Sequence, residues 1–442
     1  MAANPKVITS EEMQTRQLSE VRKNTDALFE ILRADAFYER PIPERHRIIF
    51  YLGHLEAFDW NLFRGRDPSL ESFAPELDKL FAFGIDPVGG GLPTDKPEEW
   101  PAVRRVLDYN RRVRKELDAS FERHEFARNS ESGASLETLS HVAIEHRLMH
   151  LETLAYLFHQ LPHERKNRQA QSNLTGAFSE NEMVEIPRGK TKLGLRRSDT
   201  SPFGWDNEFE AFEIEVPSFR IDRYMVTNGE FLTFLEDGGY YDPSLWSAED
   251  WQWKESSNVH HPAFWRRDEE DWQYRGMFED MILPLNWPVY VSHAEASAYA
   301  RWAGKSLPTE AQWHRAAYGT PEGQERDFPW GGQTPNARFG NFDFARWDPA
   351  PVNAFPVNRS AWGVVGQLGN GWEWTSSKFA PFDGFTPFSF YPGYSADFFD
   401  GKHYVMKGGS ARTAAPLLRR SFRNWFQPNY QYVYAGFRCV SS

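Results

Sequence analysis

The apolar residues of positions 1–165 recur at helical spacing and form four stripes. Within each stripe an apolar side chain returns every three or four residues, which places the set on one face of an amphipathic helix. The stripes are Leu18, Val21, Leu28 and Leu32; Ile48, Leu52, Leu55, Phe58 and Leu62; Val103, Val106, Val113, Leu117 and Phe121; and Leu136, Leu139, Val142, His146, Met149, Thr153 and Leu157. The run TSEE, which begins at Thr9, has the form of a capping box before the first stripe. Four such helices predict a four-helix bundle.

The pattern changes after residue 165. We predict a helical domain over residues 1–170, a polar linker over 171–181 and a second domain over 182–442. In the second domain, short β-like runs (MVEIP, FEIEV, FRIDRYMV and YVMKGG) alternate with clusters of Gly, Pro, Asn and Trp. Only two segments there have a helical pattern, Asn228–Glu236 and Ser292–Trp302. This mixture is typical of an α+β domain with much irregular structure.

Composition and charge narrow the class of protein. The formal net charge of −12 disfavours phosphate backbones and anionic membranes as partners. The aromatic fraction of 16% is enough for a folded core and suits a pocket lined by ring faces. The single cysteine, Cys439, excludes an internal disulfide and a Cys-rich zinc site. Without a signal-like start or an apolar run of about 18 residues, we expect a cytoplasmic protein that binds neither nucleic acid nor membrane.

The fourth predicted helix contains two histidines, His146 and His150, which stand about one helical turn apart. Residues at i and i+4 share a helical face, so both imidazoles can reach one metal ion. His54 lies on the inward side of the second stripe, beside Tyr51 and Phe58, and bundle cores take metal ligands from facing helices. The other interpretation is a set of hydrogen-bonded core residues. Three imidazoles without a carboxylate suit iron, zinc or copper and leave positions open for substrates.

Five motifs occur in order in the second domain: LPTEAQWHRAA (Leu307–Ala317), PWGG (Pro329–Gly332), GNGWEWT (Gly369–Thr375), KGGS (Lys407–Ser410) and GFRC (Gly436–Cys439). This series resembles the formylglycine-generating-enzyme-like fold, a C-type-lectin-like architecture. The three-histidine bundle resembles the DinB-like superfamily. The two together resemble the ergothioneine sulfoxide synthase family. The expected fold class is therefore α+β, with an N-terminal DinB-like four-helix bundle and a C-terminal formylglycine-generating-enzyme-like domain.

This resemblance implies an iron(II) cofactor bound by His54, His146 and His150. It also implies three small-molecule substrates: hercynine (Nα,Nα,Nα-trimethylhistidine), a thiol donor and O2. The product would have a new C–S bond at imidazole C2, with the sulfur oxidised to a sulfoxide. Formylglycine generation itself does not fit, because that activity needs two cysteines in the pocket and the chain has only Cys439. The sequence makes no prediction of oligomeric state.

Two further motifs correspond to substrate contacts in that family. The motif FRNW supplies Asn424, which would bond the substrate imidazole, and Trp425, which would face the trimethylammonium group. The motif YPGY supplies Tyr391 as the candidate catalytic residue and Tyr394 as part of the cation-binding box. A quaternary ammonium has no N–H to donate, so aromatic faces are suited to bind it. The alternative is ordinary packing, with the Tyr391 hydroxyl only anchoring its loop.

Three positions depart from the better-known branch of this family. A Gln that contacts the imidazole is replaced by Met149, and an Asp and an Arg that bind γ-glutamylcysteine are replaced by Phe426 and Tyr430. The Gly- and Pro-rich connection at residues 84–100, whose arginines bind the same donor in that branch, contains no Arg. These three residues are therefore candidate substrate-binding positions for a different donor. Free cysteine and a selenosugar, the donor of the related selenoneine synthases, both stay open.

Two other function classes also stay open. A zinc-dependent thiol transferase could use a DinB-like three-histidine site, and it would not need Asn424, Trp425 or the two tyrosines. A non-catalytic lectin-like binding module would not need the three histidines together.

Overall fold

A computed structural model describes residues 10–67, 69–82, 93–123, 134–170, 174, 176, 180–198, 202–269 and 271–442. The chain divides into two compact units, Met1–Gln169 and Ala170–Ser442, which we call unit 1 and unit 2. Thr9 of the capping motif, positions 84–92 of the long connection and most of the linker predicted at 171–181 lie outside the described residues.

The described part of unit 1 is helical. Its helices are α1 (Ser10–Phe29), α2 (Ile48–Arg64), α3 (Pro75–Leu80), α4 (Val103–Arg123) and α5 (Leu136–His159). The four long helices correspond to the four predicted stripes, except that α1 ends at Phe29, before Leu32 of the first stripe. Helix α1 packs on α5, and α2 packs on both α4 and α5. The short helix α3 was not predicted, because six residues are too few to show a period. None of the helices in the described ranges has both the length and the apolar character that crossing a membrane requires.

Unit 2 contains twelve strands among its described residues. They are β1 (Met183–Ile186), β2 (Gly189–Leu193), β3 (Phe212–Val216), β4 (Phe219–Asp222), β5 (Trp265–Asp268), β6 (Asp271–Arg275), β7 (Asp280–Ile282), β8 (Gly371–Lys378), β9 (Tyr404–Gly409), β10 (Asn424–Phe426), β11 (Ala435–Gly436) and β12 (Val440–Ser441). They form sheets of order β1-β4-β12, β10-β9-β8-β11, β2-β3 and β5-β6-β7. The four predicted β-like runs correspond to β1, β3, β4 and β9. The mixed helix and sheet content confirms the predicted fold class.

The prediction of only two helices in unit 2 was wrong. The described helices are α6 (Asn228–Glu236), α7 (Ala248–Ser256), α8 (His293–Trp302), α9 (Glu310–Tyr318) and the single turn α10 (Gly393–Ala396). Eight of the nine residues of α9 are buried, whereas only Lys254 of α7 is buried. The buried residues of α9 include Glu310, His314 and Arg315, and the one buried residue of α7 is a lysine. In neither helix does burial follow hydrophobicity, so a search for apolar stripes does not find them.

A buried ion pair ties together three of the sequence motifs in unit 2. The side chain of Arg438 donates from Nε and Nη2 to the two carboxylate oxygens of Glu373, at 2.6 and 2.7 Å. The indole of Trp313, on α9, donates to the same carboxylate at 2.7 Å. The remaining guanidinium donors reach the carbonyls of Asp222 and Val365, among others. Both charges are fully buried and well satisfied, so these motifs build the scaffold of the unit.

We expect Glu373→Gln to destabilise unit 2 strongly, because it leaves the buried Arg438 without its counter-charge. The free energy of unfolding should fall by about 3–5 kcal/mol. The control is Glu215→Gln, which breaks the exposed pair with Arg188 and should cost less than about 1 kcal/mol. Urea titration of both variants measures the difference, and equal losses would contradict the structural role of the buried pair.

Candidate metal centre and aromatic cluster

Three histidines meet in the core of unit 1. Helix α2 supplies His54, and α5 supplies His146 and His150 from one face. Each offers a ring nitrogen, and these three atoms lie within 4.8 Å of one another. The ring centroids are 4.4 to 5.3 Å apart. All three side chains are buried, so the arrangement has the size and composition of a three-imidazole metal site.

Hydrogen bonding leaves ring nitrogens of this cluster free to bind a metal. Nδ1 of His54 lies 2.8 Å from the carbonyl oxygen of Phe81. A carbonyl can only accept, so Nδ1 carries the proton and Nε2 has the lone pair. Among the described residues, no partner is found for Nε2 of His54 or for Nδ1 of His146 and of His150, although all three atoms are buried. Buried polar atoms without partners are rare, and a bound metal would satisfy ring nitrogens of this set.

Burial also fixes the protonation state of the cluster. It lowers the pKa of His54 to about 4, against the smaller opposing effect of the Phe81 carbonyl. It lowers the pKa values of His146 and His150 well below the usual range, and repulsion from the neighbouring histidines lowers them further. All three imidazoles are therefore neutral at neutral pH, which is the form that binds metals. The donor set fits iron, zinc or copper equally.

Aromatic rings fix the orientation of two of these imidazoles. The ring of Phe58 stacks on His146, with centroids 3.5 Å apart and an interplanar angle of 12°. The ring of Phe50 stacks on His54 at 4.9 Å and 22°. Both phenylalanines belong to α2, so this helix supplies one candidate ligand and part of the packing around another.

A buried arginine clamps α5 to α2 next to the histidines. Arg147 is fully buried, and its guanidinium donates to Glu56 at 2.6 Å, to Asp59 at 2.7 Å and to the carbonyl of Leu55 at 3.0 Å. Glu56 also accepts from Arg114 at 2.6 Å. Burial raises the pKa of Glu56, but the charges of the two arginines outweigh burial and lower it to about 2. This carboxylate is therefore committed to the clamp.

Unit 2 places two of the predicted substrate-binding residues in an aromatic cluster. The indole of Trp425 stacks on Phe379 at 4.1 Å and 7°. The rings of Tyr394 and Phe398 each lie 5.6 Å from it, Tyr394 nearly edge-on at 80°. Tyr391 lies beside Tyr394, with centroids 5.5 Å apart. Trp425, Tyr394 and Tyr391 are half-buried, so ring surface is accessible.

Ion pairs and hydrogen bonds position the backbone on both sides of this cluster. Strand β10, which contains Asn424 and Trp425, pairs with β9 and follows Arg423, whose buried side chain pairs with Glu310 at 3.0 Å. The side-chain amide oxygen of Asn424 accepts the backbone N–H of Trp425 at 2.8 Å. On the other side, the hydroxyl of Ser395 in α10 donates to Asp206. That bond anchors the turn that contains Tyr394.

Sequence reasoning missed Trp205 and Phe379. Trp205 is fully buried and stacks on Tyr394 at 4.0 Å and 25°. It lies in an irregular loop, and its contact with Tyr394 crosses 189 positions of sequence, so no local pattern identifies it. Phe379 directly follows β8, where its ring supports Trp425. None of the sequence motifs contains Trp205 or Phe379.

The other predicted substrate-binding positions are distributed between the two units. In unit 2, Phe426 stacks on Tyr430 at 4.9 Å and 15°. In unit 1, Met149 lies half-buried on α5, next to His150. The substrate contacts assigned to these residues, and to Asn424 and Trp425, stay predictions.

Comparison with known proteins assigns both units to families. The profile of the sulfatase-modifying factor enzyme 1-like domain matches residues 168–442. The chain belongs to the sulfatase-modifying factor enzyme 1-like family. The profile of the DinB superfamily matches residues 17–154, within unit 1. The chain thus joins an N-terminal DinB domain to a C-terminal sulfatase-modifying factor enzyme 1-like domain, as the motifs predicted.

Named relatives of this family member agree with the predicted resemblance. The hercynine oxygenase of Mycobacterium tuberculosis is 42% identical over 248 residues, which cover 56% of this chain and 57% of that protein. Ergothioneine biosynthesis protein 1 of Neurospora crassa is 27% identical over 93% of this chain and 55% of its own length. The inactive Cα-formylglycine-generating enzyme 2 of Mus musculus is 32% identical over 59% of this chain and 85% of its own length. The matches span little more than half the length of the first two relatives.

We expect His146→Ala to lower the metal content of the protein sharply, because it removes one of three candidate ligands. The measurement is elemental analysis after anaerobic loading with iron(II), with the exposed His260→Ala as control. Because burial lowers the pKa of His54 to about 4, iron affinity should change little between pH 7 and pH 5, and proton competition should weaken it only below about pH 4. Full iron occupancy in His146→Ala would rule out the assignment.

Proposed function

We propose that this chain is an iron(II)-dependent enzyme that joins a thiol sulfur to imidazole C2 of hercynine with O2. The observation behind the proposal is the buried cluster of His54, His146 and His150, in a chain whose relatives include a hercynine oxygenase. In the overall reaction, the C2–H of hercynine and the S–H of the donor are lost and a C–S bond forms. One oxygen atom of O2 becomes the sulfoxide oxygen and the other leaves as water, so four electrons balance.

The three imidazoles are the proposed iron ligands. Iron(II) would supply the one-electron chemistry that O2 needs to react with a closed-shell thiol. Neutral imidazoles contribute no negative charge, and three of them leave several positions of the ion for exchangeable ligands. Iron is proposed over zinc because one relative is named an oxygenase and zinc has no redox chemistry with which to activate O2.

The aromatic cluster of unit 2 is the proposed hercynine site. The faces of Trp425 and Tyr394 are suited to a trimethylammonium group, because an aromatic face attracts a cation that has no N–H to donate. The amide oxygen of Asn424 already accepts the N–H of Trp425, so its NH2 group is the end proposed to donate to the imidazole. In this proposal, the adjacent residues Trp425 and Asn424 of β10 bind the trimethylammonium group and the imidazole ring of one hercynine molecule.

The donor is proposed to be a small thiol other than γ-glutamylcysteine. Phe426 and Tyr430 form a stacked aromatic pair at the positions that the better-known branch uses to bind the glutamyl group. An aromatic pair offers no charge to a carboxylate, which would be desolvated without a charge-assisted partner. Cysteine has one carboxylate where γ-glutamylcysteine has two, so it lacks the glutamyl carboxylate that these positions would leave without a partner. A selenosugar donor, which would make the chain a selenoneine synthase, gains no support from the named relatives, and neither does a zinc-dependent thiol transferase.

Anaerobic reconstitution tests the proposal. Protein loaded with iron(II) or with zinc(II) is mixed with hercynine and cysteine, γ-glutamylcysteine or a selenosugar, and then exposed to air. Mass spectrometry should find a hercynine–cysteine sulfoxide with iron and O2 only, and little turnover of γ-glutamylcysteine. If zinc-loaded protein without O2 transferred the thiol to an added electrophile and displaced its leaving group, the thiol transferase would replace the proposal. Preferred use of the selenosugar would move the proposal to C–Se bond formation.

We expect Trp425→Ala to weaken hercynine binding more than donor binding. The loss should be about 1–2 kcal/mol, or roughly five- to thirtyfold, because a desolvated cation–aromatic contact is removed. Trp425→Phe keeps a ring and should lose less. Calorimetry with hercynine and with histidine measures the difference, since only hercynine carries the quaternary cation. Unchanged preference for hercynine in Trp425→Ala would exclude Trp425 from the cation site.

We expect Tyr391→Phe to change the products more than the binding of substrates. The phenol is the proposed donor of a proton or hydrogen atom during C–S bond formation, and without it the donor thiol should be oxidised alone. Iron content and hercynine affinity should be retained, while the sulfoxide yield falls and oxidised donor accumulates. Tyr394→Phe is the matched control, because its proposed role needs only the ring. Wild-type product ratios in Tyr391→Phe would show that the hydroxyl does no chemistry.

A further inference from the structure

We propose that Asp78 is a positioning residue for the metal centre, acting through helix α3 and the carbonyl of Phe81 on His54. The inference depends on the proposed function only for the metal that the histidines bind. Of the three candidate ligands, His54 alone comes from α2, and its hydrogen bond goes to a residue outside the helices that supply the ligands. The orientation of its ring therefore depends on where α3 places Phe81.

The carboxylate of Asp78 connects α3 to two other helices. Its Oδ1 accepts the hydroxyl of Tyr109, on α4, at 2.8 Å. Its Oδ2 accepts the hydroxyl of Ser72 at 2.6 Å and the indole N–H of Trp60, on α2, at 3.2 Å. Arg64 of α2 adds an ion pair at 3.4 Å. A six-residue helix is not stable by itself, so these buried bonds determine its position.

Phe81 transmits that position to His54 by its backbone and its ring. Its N–H bonds to the carbonyl of Leu77 at the end of α3, and its own carbonyl accepts from Nδ1 of His54. The ring lies against Gly53, where an added Cβ would approach it to 2.4 Å. The ring is fully buried, with Tyr109 6.2 Å away, so it has little freedom to move. Gly53 precedes His54, and the absence of a side chain there permits the close approach.

The carbonyl bond has two consequences for a metal ligand. It sets the tautomer, so that Nε2 offers its lone pair, and it fixes the rotation of the ring. Hydrogen-bond partners of metal-bound histidines typically contribute 10- to 100-fold to metal affinity. Asp78 lies one step further away than such a partner, so its effect should fall at the lower end of that range.

The first test is a titration of the metal-free full chain with cobalt(II), followed by its visible absorption. We expect Asp78→Ala to weaken cobalt(II) binding roughly tenfold, and Asp78→Asn to weaken it less, because an amide retains one acceptor oxygen. The control is Asp67→Ala, which removes another buried carboxylate of unit 1, bonded to Ser69 and Ser120. Equal cobalt(II) affinity in Asp78→Ala and Asp67→Ala would overturn the proposal and leave Asp78 a structural residue.

A second variant perturbs the position of Phe81, and hence of its carbonyl, without changing any charge. Gly53→Ala should displace the Phe81 ring and weaken cobalt(II) binding, although alanine favours a helix over glycine by about 1 kcal/mol. A stable, helical Gly53→Ala protein with wild-type cobalt(II) affinity would count against the proposal. This variant covers the case in which Asp78→Ala does not fold.

Nitrogen-15 NMR of histidine-labelled, metal-free protein gives a readout that needs no metal. The wild type should show His54 protonated at Nδ1, and Asp78→Ala should show a mixture of the two tautomers. An unchanged tautomer in Asp78→Ala would overturn the proposal even if activity fell. If the wild type failed to bind cobalt(II), the metal function would be wrong, while the tautomer measurement would still decide the role of Asp78.

Discussion

The geometry of the three-histidine cluster depends on one buried charge, the guanidinium of Arg147. Arginine keeps its proton at any pH at which a protein is folded, so this charge must be neutralised inside unit 1. Glu56 and Asp59 of α2 provide the neutralisation, and the carbonyl of Leu55 accepts a further bond. Removing one partner of such a group typically costs about 3–5 kcal/mol. The register of α5 against α2 is therefore fixed next to His146, and with it the spacing of the three imidazoles.

Unit 2 also has arginine–carboxylate pairs, which lie near its aromatic cluster. Arg423, immediately before β10, pairs with Glu310 of α9 and also donates to the backbone carbonyl of Ala380, next to Phe379. Arg419 and Ser421 bond the buried carboxylate of Glu208. In both contacts a buried carboxylate pairs with an arginine from the stretch just before β10, which contains the predicted substrate-binding residues. Binding surfaces made from irregular segments need such fixed points, because they lack the regular hydrogen bonding of helices and sheets.

Sequence reasoning found the parts of the molecule that have a local signature. The apolar stripes predicted the long helices, and the spacing of His146 and His150 identified two members of the histidine cluster. The packing partners were beyond its reach, because Phe81 and Trp205 contact the sites from distant positions in the chain. Helix α9 was missed for another reason, since its buried residues include Glu310, His314 and Arg315 and so do not form an apolar stripe. A sequence pattern indicates which face of one helix or strand is exposed, whereas a site is formed by contacts between several helices, strands and loops.

The motifs that identified the second domain build its scaffold, although sequence motifs are often taken to mark a binding site. Glu373, Trp313 and Arg438, from three of them, form the ion pair of the scaffold. The predicted substrate contacts lie outside those five motifs. A fold can then retain its framework while its chemistry changes, which agrees with a match to a mouse protein whose name states that it is inactive.

The neutral state of the three imidazoles has a thermodynamic consequence. Many metal sites must expel protons from their ligands before an ion can bind, and the buffer takes up those protons with its own heat of ionisation. Burial has already removed the protons from His54, His146 and His150 at neutral pH. Uptake of a divalent ion would then exchange no protons with solvent. The measured enthalpy of metal binding would then contain no heat from ionisation of the buffer.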